Sequence, residues 1–146
     1  NKYNYPMMIS TKGRYALRVM ADMAEHNTGE FIPLKEIADK QGISLKYLES
    51  IMTILSKGHL VESASGKGGG YRLIKEPELY RVGDILRLTE GNLAPVACLC
   101  TDTKKCDVTQ DCYTLPFWQG LGEIINEYLD SHTLADLVAQ GKKTCT

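Results

Sequence analysis

Apolar residues near the start of the chain recur every three or four positions, which is the spacing of a helix with one buried face. Ser10 or Thr11 can cap the first predicted helix, which ends at Asn27-Thr28-Gly29. Its apolar face consists of Ala16, Leu17, Met20, Met23 and Ala24.

Two further helices follow closely. Pro33 opens a short helix that Gln41-Gly42 closes, and Ser44 can cap a third helix over about 45–57. Two helices joined by a tight turn that contains glycine are typical of a helix-turn-helix. The apolar side of the third helix consists of Leu48, Ile51 and Leu55.

The rest of the pattern predicts a hairpin and a second group of helices. The segments HLVESA and GYRLI flank the glycine-rich stretch SGKGG, which favours a hairpin, or wing. A short helix is predicted at VGDILRLTEG, a long amphipathic helix over 116–130, and a last helix over 134–140. Thr133 and Asp136 have the spacing of a capping box for that last helix. The predicted fold class is mainly α with a small β-hairpin wing.

The amino-acid composition is consistent with this predicted fold class and adds a size limit. The 146 residues, 43% hydrophobic and 24% charged, suit one compact domain or a small domain with an appendage. No apolar run reaches the ~18 residues of a membrane span, and a secretory signal is not evident, so we expect a cytoplasmic protein without a membrane partner. Met7-Met8 is the expected natural start, and residues 1–6 are left out of the interpretation.

Charge is distributed unevenly along the chain. Residues 1–76 carry 11 Lys and Arg against 8 Asp and Glu, a net charge of +3. Residues 77–146 carry 6 against 10, a net charge of −4. The first half is therefore the better candidate to bind a polyanion.

The exposed start of the predicted third helix suits the major groove of DNA, where each base pair presents a distinct set of donors and acceptors. Hydroxyl groups and lysine suit phosphates or base edges, and a glutamate can accept a hydrogen bond from cytosine. The alternative is a three-helix core with a solvated polar face. The candidate DNA-binding residues of this helix are Ser44, Lys46, Tyr47, Glu49, Ser50 and Thr53. Further candidates on the first helix and the wing are Lys12, Arg14, Arg18, Ser65, Gly66, Lys67 and Arg72.

The glycine run over 66–70 does not match a nucleotide-binding phosphate loop. Such a loop needs Lys-Ser or Lys-Thr after its last glycine at a strand-to-helix junction, whereas Tyr71-Arg72 enter a strand here. A tight turn at the tip of the wing is the better interpretation.

Four of the five cysteines lie in the stretch CLCTDTKKCDVTQDC, residues 98–112. Thiolates are soft ligands for zinc, copper(I) or iron–sulfur clusters. One residue separates Cys98 from Cys100, and five residues separate each of the next two pairs of neighbouring cysteines. In zinc sites, two to four residues commonly lie between the paired cysteines. A thiol or disulfide switch and adventitious zinc stay open as alternatives.

Long motifs in the chain resemble the iron–sulfur cluster regulator (IscR) family of winged helix-turn-helix repressors, which includes cysteine-metabolism and nitric-oxide-sensing members. They are ISTKGRYAL, LKEIADKQGISLKYLESIMTILSKGHLV and GKGGGYRL, followed by VGDIL, the cysteine loop, FWQGL and DSHTLADL. The resemblance runs from Met7 to Gln140 and implies a DNA-binding domain over 7–76. Residues 77–146 would then hold a sensor loop at 92–115 and dimerisation helices.

The resemblance also implies partners. The protein would be a homodimer on a pseudo-palindromic double-stranded DNA operator, with half-sites about one helical turn, ~34 Å, apart. The interface residues implied on the long helix are Trp118, Leu121, Ile124, Ile125, Tyr128 and Leu129.

In the resembled family, three loop cysteines hold a 2Fe–2S cluster, and Cys98 or Cys100 corresponds to the first of them. Leu115 stands where some members carry a histidine ligand, and it cannot bind iron. Either both Cys98 and Cys100 bind, or a non-cysteine group, for instance from the partner subunit, completes the set. The other positions that fit the family spacing are Cys106, Cys112 and Trp118.

The function that follows is a transcription regulator whose operator binding is controlled by the cluster. It would act on cluster biogenesis or related stress genes, with cluster-assembly proteins as further partners. We expect cluster binding to order residues 92–115 and to shift the relative placement of the two recognition helices.

Three other functions are alternatives that the sequence favours less. One is a regulator of cysteine metabolism that senses thiol oxidation or a partner protein without a stable cluster, and another is a small iron–sulfur electron-transfer protein. Electron transfer would not need the helix-turn-helix or the wing. An enzyme is not expected, because no nucleophile with a base and an orienting group can be placed around the scattered histidines. These are His26, His59 and His132.

Overall fold

The computed structural model describes residues 9–96 and 112–141. In chain order the elements are α1 (Thr11–Glu25), α2 (Leu34–Gln41), α3 (Leu45–Lys57), β1 (Val61–Ala64), β2 (Gly70–Leu73), a 3-10 turn (Pro77–Leu79), α4 (Val82–Glu90), α5 (Leu115–Asp130) and α6 (Leu134–Gln140). The predicted fold class is confirmed, and the 3-10 turn is an element that the sequence pattern did not predict.

Side chains cap three of the helices at their N-termini, where the first backbone N–H groups have no partner within the helix. Ser10 Oγ accepts from the N–H of Gly13 at 3.2 Å, so Ser10, not Thr11, is the cap of α1. Ser44 caps α3 in the same way. Thr133 and Asp136 form the predicted capping box of α6.

One hydrophobic core lies between α1, α3 and the elements that pack on α1, namely α4 and α6. Residues from both halves of the sequence meet there, since Met20, Leu48 and Ile51 share the core with Tyr80 and Leu134. The division at residue 76 stays a prediction. Leu17 is only half-buried, and Val19 is buried in its place.

The wing is a two-stranded antiparallel sheet in the register Val61↔Leu73 to Ala64↔Gly70. A bridge between Ile32 and Tyr71, with N–O distances of 2.8 and 2.9 Å, holds it to the α1–α2 connection. Gly70 has a φ of 141°, and a Cβ there would overlap the carbonyl oxygen of Ile32. Glycine at this position therefore lets the wing approach the connection closely.

Candidate DNA-binding surface and cysteine site

The first two turns of α3 present an exposed polar surface. The hydroxyl of Ser50 donates to the carbonyl of Tyr47 at 2.6 Å, and that of Thr53 donates to the carbonyl of Glu49 at 2.8 Å. Both hydroxyl protons are therefore used within the helix, but the oxygens keep lone pairs that can accept from a base or a solvent molecule.

Lys46 and Glu49 carry the charges of this surface. Both side chains are exposed, and neither forms a hydrogen bond or ion pair with another described residue. Leu45, which is 50% exposed, lies next to Lys46 in the first turn and adds apolar surface. Sequence reasoning missed Leu45, although its place directly after the capping Ser44 was a usable signal.

Tyr47 and Arg18 connect α1 to the helix-turn-helix. The Tyr47 ring contacts Tyr15 edge-on, with ring centroids 6.0 Å apart, and Arg18 lies over the Tyr15 ring at 5.0 Å. Arg18 also reaches the carbonyl of Gln41 at 3.5 Å. Tyr47 is half-buried, so its ring helps to set the position of α3 on α1.

The tip of the wing is exposed, and Ser65, Gly66 and Lys67 lie there. The Lys67 ammonium has no ion pair within the described residues. Gly66 and Gly68 have φ values of 83° and 79°, as the tight turn requires.

Arg72 differs from Lys67 because its charge is already paired. Its guanidinium contacts the carboxylate of Glu62 across the hairpin, donates to the carbonyl of Gly29 at 3.1 Å, and lies 4.2 Å from the Phe31 ring centroid. These contacts fix the wing against the α1–α2 connection.

Lys12 and Arg14 lie in the first turn of α1, on either side of Gly13. Arg14 is exposed and Lys12 half-buried, and neither side chain has an ion pair in the described parts of the chain. The structure therefore leaves both charges available to a polyanion.

Of the four predicted cluster ligands, Cys112 belongs to the described residues, and Cys98, Cys100 and Cys106 lie outside them. Cys112 Sγ lies 3.3 Å from the hydroxyl oxygen of Thr114. This hydrogen bond lowers the pKa of the Cys112 thiol, and the backbone N–H groups of Thr114 and Leu115 lower it further. A stabilised thiolate fits the donor chemistry that an iron–sulfur cluster requires.

The Thr114 hydroxyl bonds to Cys112 and does not cap the N-terminus of α5. Thr114 is the N-cap residue of α5, yet its side chain makes no capping hydrogen bond to the helix. Sequence reasoning missed Thr114 as a functional residue. Leu115 begins α5 and offers no ligand atom.

A second group of possible metal ligands occurs within the described ranges, formed by Asp22 and Glu25 of α1 and by His26, the C-cap residue of that helix. The ammonium of Lys40 lies 2.8 Å from Asp22 Oδ1 and 3.3 Å from His26 Nδ1. The Lys40 ammonium thus already contacts two of the atoms that a metal ion would need as ligands.

One face of α5 exposes large apolar side chains. Phe117, Ile124 and Tyr128 are 66%, 65% and 65% exposed, and Gly122 is the buried residue of this helix. Exposed apolar patches of this kind mark interaction surfaces. The other predicted interface residues are half-buried, and they are Trp118, Leu121, Ile125 and Leu129.

Within residues 9–96 and 112–141, no helix has both the length and the hydropathy needed to cross a membrane.

Comparison with known proteins extends this picture. A family model described as "Rrf2: Iron-dependent Transcriptional regulator" matches residues 9–140. The HTH-type transcriptional regulators IscR of Yersinia enterocolitica and Yersinia pestis are 38% identical to the chain over 132 residues, which cover 90% of the chain and 79% of each relative.

Two solved structures are similar in fold. The structure of CymR (YrzC), the global cysteine regulator of B. subtilis, has a TM-score of 0.74 and 35% identity, covering 92% of this chain and 98% of that one. T. potens IscR has a TM-score of 0.70 and 35% identity, covering 95% and 93%. The chain therefore belongs to the Rrf2 family and is a DNA-binding transcriptional regulator similar to IscR.

Proposed function

We propose that the protein is a dimeric regulator whose operator binding is controlled by a 2Fe–2S cluster on the cysteine loop. The observation that supports DNA binding is the exposed start of α3, where Lys46 and Glu49 form no ion pair with any residue that the structure describes. The observation that supports a cluster is Cys112, three residues before α5, whose thiolate is stabilised by the hydrogen bond to Thr114.

In the proposed complex, α3 enters the major groove. Lys46 and Glu49 contact base edges or phosphates, since lysine suits guanine or phosphate and glutamate suits the amino group of cytosine. Lys12, Arg14 and Lys67 contact phosphates on either side. The paired Arg72 acts differently, by holding the wing in place.

The exposed apolar face of α5 is proposed to pack against the same face of a second copy. Phe117, Ile124 and Tyr128 recur at intervals of seven and four residues, so they lie along one side of the helix. A two-fold axis through this contact would present one α3 to each half-site of a pseudo-palindromic operator.

The proposed ligands are the four loop cysteines, with Cys98 and Cys100 both binding because Leu115 cannot. A cluster of this kind supplies a redox-active, oxidant-sensitive group whose stability depends on the hydrogen bonds to its sulfur ligands. We propose that it reports on iron–sulfur supply or stress in the cytoplasm, with cluster-assembly proteins as partners and related genes as targets.

The cluster is tested by anaerobic reconstitution with iron and sulfide. We expect visible absorption and two irons per chain in the wild type, and loss of both in Cys112→Ala. Cys98→Ala and Cys100→Ala are measured separately to decide the first ligand, and Cys145→Ala serves as the matched control. Colourless protein that holds zinc or no metal would exclude a cluster.

DNA binding is tested on duplexes selected from a random-sequence pool by the purified wild type. Lys12→Ala should weaken binding to all sequences and decrease the slope of log affinity against log salt by about one. Glu49→Gln should instead change the sequence preference. Lys57→Ala, at the other end of α3, is the control, and equal salt slopes for Lys12→Ala and wild type would contradict the assignment.

The dimer is tested by light scattering. Ile124→Asp should yield monomers because it places a charge in the apolar contact, whereas Gln119→Glu on another side of α5 should leave the dimer intact. A dimeric Ile124→Asp variant would exclude this face as the interface.

A second candidate is a thiol-sensing regulator without a cluster. It is favoured by the lowered pKa of Cys112 together with the similarity to CymR, the global cysteine regulator of B. subtilis. If the protein senses thiol oxidation, the cluster-free, colourless protein should change its affinity for the operator when its thiols are oxidised. A thiol reductant should then restore the original affinity.

A further inference from the structure

Glu90, the last residue of α4, is hydrogen bonded to the cap of α1. Its Oε1 accepts from the Ser10 hydroxyl at 2.6 Å and from the Ser10 backbone N–H at 3.1 Å. Ser10 Oγ in turn accepts from the N–H of Gly13. Ser10 and Glu90 are 80 positions apart in sequence, so this contact exists only because α4 packs on α1.

The arrangement is a capping box whose carboxylate comes from another helix. In α6 the box is local, since Asp136 at the third helical position bonds back to the N–H of Thr133. The third position of α1 is Gly13, which has no side chain to do so. A Cβ at Gly13 would overlap the Glu90 carboxylate, so glycine makes the space that Glu90 fills.

This contact lies between the two functional regions of the protein. On one side, Lys12 and Arg14 flank Gly13 and are the proposed phosphate contacts of α1. On the other side, Glu90 is the last residue of α4, and Gly91 starts the segment that leads to the cysteines. The end of α4 is therefore hydrogen bonded directly to the residue that caps the first turn of α1.

We propose that Glu90 is a positioning residue that couples the state of the cysteine loop to the DNA contacts of α1. Through Ser10 it holds the first turn of α1, and with it Lys12 and Arg14, in the orientation for operator binding. This coupling rests on the proposed cluster control. The charge of Glu90 also suits the positive end of the α1 dipole.

The experiment measures the ratio of operator affinities for cluster-loaded and cluster-free dimer, on a duplex selected by the wild type. Glu90→Ala removes the acceptor, and Ser10→Ala removes its partner. Gly13→Ala displaces the carboxylate while it raises the helix propensity of α1. Glu90→Gln keeps an oxygen that can accept both hydrogen bonds. Asp136→Ala is the matched control, because it opens the capping box of α6.

We expect Glu90→Ala and Gly13→Ala to shift the ratio roughly fivefold toward one, which corresponds to the net contribution of about one hydrogen bond. The Glu90→Ala and Ser10→Ala double variant should shift it no further, because the two groups act together. Glu90→Gln should keep most of the wild-type ratio. Asp136→Ala should lower the melting temperature without changing the ratio.

Two outcomes would overturn the proposal in different ways. In the first, the wild type has different operator affinities with and without the cluster, and Glu90→Ala has the same ratio of affinities as the wild type. The coupling then does not pass through Glu90, and the proposed function stands. If the reconstituted wild type itself has a ratio of one, cluster control is wrong, and the coupling role of Glu90 is wrong with it.

Discussion

Arg87 and Asp130 form a two-pronged ion pair that joins α4 to the end of α5. The Nη1–Oδ1 distance is 2.7 Å and the Nη2–Oδ2 distance is 3.0 Å, and Nη2 also donates to Asn126 at 2.9 Å. The hydrogen bond to Arg87 lowers the pKa of Asp130, and the same bond raises the pKa of Arg87. Gly83 lies against the pair, since a Cβ there would overlap Asp130 Oδ1.

Asp130→Asn is expected to lower the free energy of unfolding by about 1 kcal/mol at pH 7, a value limited by the 32% exposure of both side chains. Because the folded-state pKa of Asp130 is lowered, its stabilisation is present above the unfolded pKa of about 3.9 and is lost as the pH falls through the folded value. Urea denaturation at pH 7 and pH 3 measures this, and the two proteins should differ less at pH 3 than at pH 7. Asp84→Asn, whose carboxylate is 3.6 Å from Arg87, should have a smaller effect.

Tyr80→Phe is expected to destabilise the base of the wing. The buried Tyr80 hydroxyl donates to the carbonyl of Leu60 at 2.7 Å and accepts from the N–H groups of Ile74 and Lys75 at 2.9 and 3.1 Å. Its loss leaves these backbone groups without their partner, which costs about 1–3 kcal/mol. Thermal or urea unfolding measures the change. Tyr113→Phe, at a residue 99% exposed, should change stability by less than about 0.5 kcal/mol.

Gly70→Ala is expected to detach the wing from the α1–α2 connection. The positive φ of Gly70 strains an alanine by on the order of 1–3 kcal/mol, and the added Cβ meets the Ile32 carbonyl. Amide hydrogen exchange of Tyr71, whose N–H bonds to Ile32, should become faster. Gly120→Ala meets nothing within 4 Å and should stabilise α5 by about 0.5–1 kcal/mol. If the exchange rate of the Tyr71 amide is unchanged in Gly70→Ala, close packing of Gly70 on the Ile32 carbonyl is not what holds the wing.

Thr114→Val is expected to raise the pKa of the Cys112 thiol, because the hydrogen bond from Thr114 is the largest cause of its lowering. A smaller fraction of thiolate at pH 7.5 should slow alkylation by iodoacetamide. The rate is measured on cluster-free protein in which Cys112 is the remaining cysteine. Thr114→Ser keeps the hydroxyl and should react like the parent protein, so equal slowing of both variants would assign the effect to packing.

Helix limits were predictable because their signals are local. Ser44 caps α3 as expected, and so does Thr133 for α6, since the cap and the N–H group it binds are three residues apart. The cap of α1 was ambiguous between Ser10 and Thr11. A residue 80 positions away, Glu90, bonds to Ser10, and a local pattern contains no record of that contact.

The candidate DNA-binding residues stay a prediction, and the structure adds which of them already have a partner within the protein. Lys46 and Glu49 lie exposed, as their position in the predicted helix suggested, and have no ion pair with residues 9–96 or 112–141. Arg72 was grouped with the phosphate contacts, but the hairpin register sets it opposite Glu62. Residue type alone cannot tell these cases apart, because pairing depends on which residues the turn brings into register.

The helices, the wing, the family and the grouping of four cysteines within residues 98–112 could be predicted from the sequence, because they depend on residue type and on spacings of a few positions. The hydrogen bonds of Ser10 with Glu90, of Arg87 with Asp130 and of Tyr80 with Leu60 could not be predicted, because they join residues 80, 43 and 20 positions apart. Such contacts follow from the packing of distant elements on one core, which a linear pattern of apolar and polar positions does not specify.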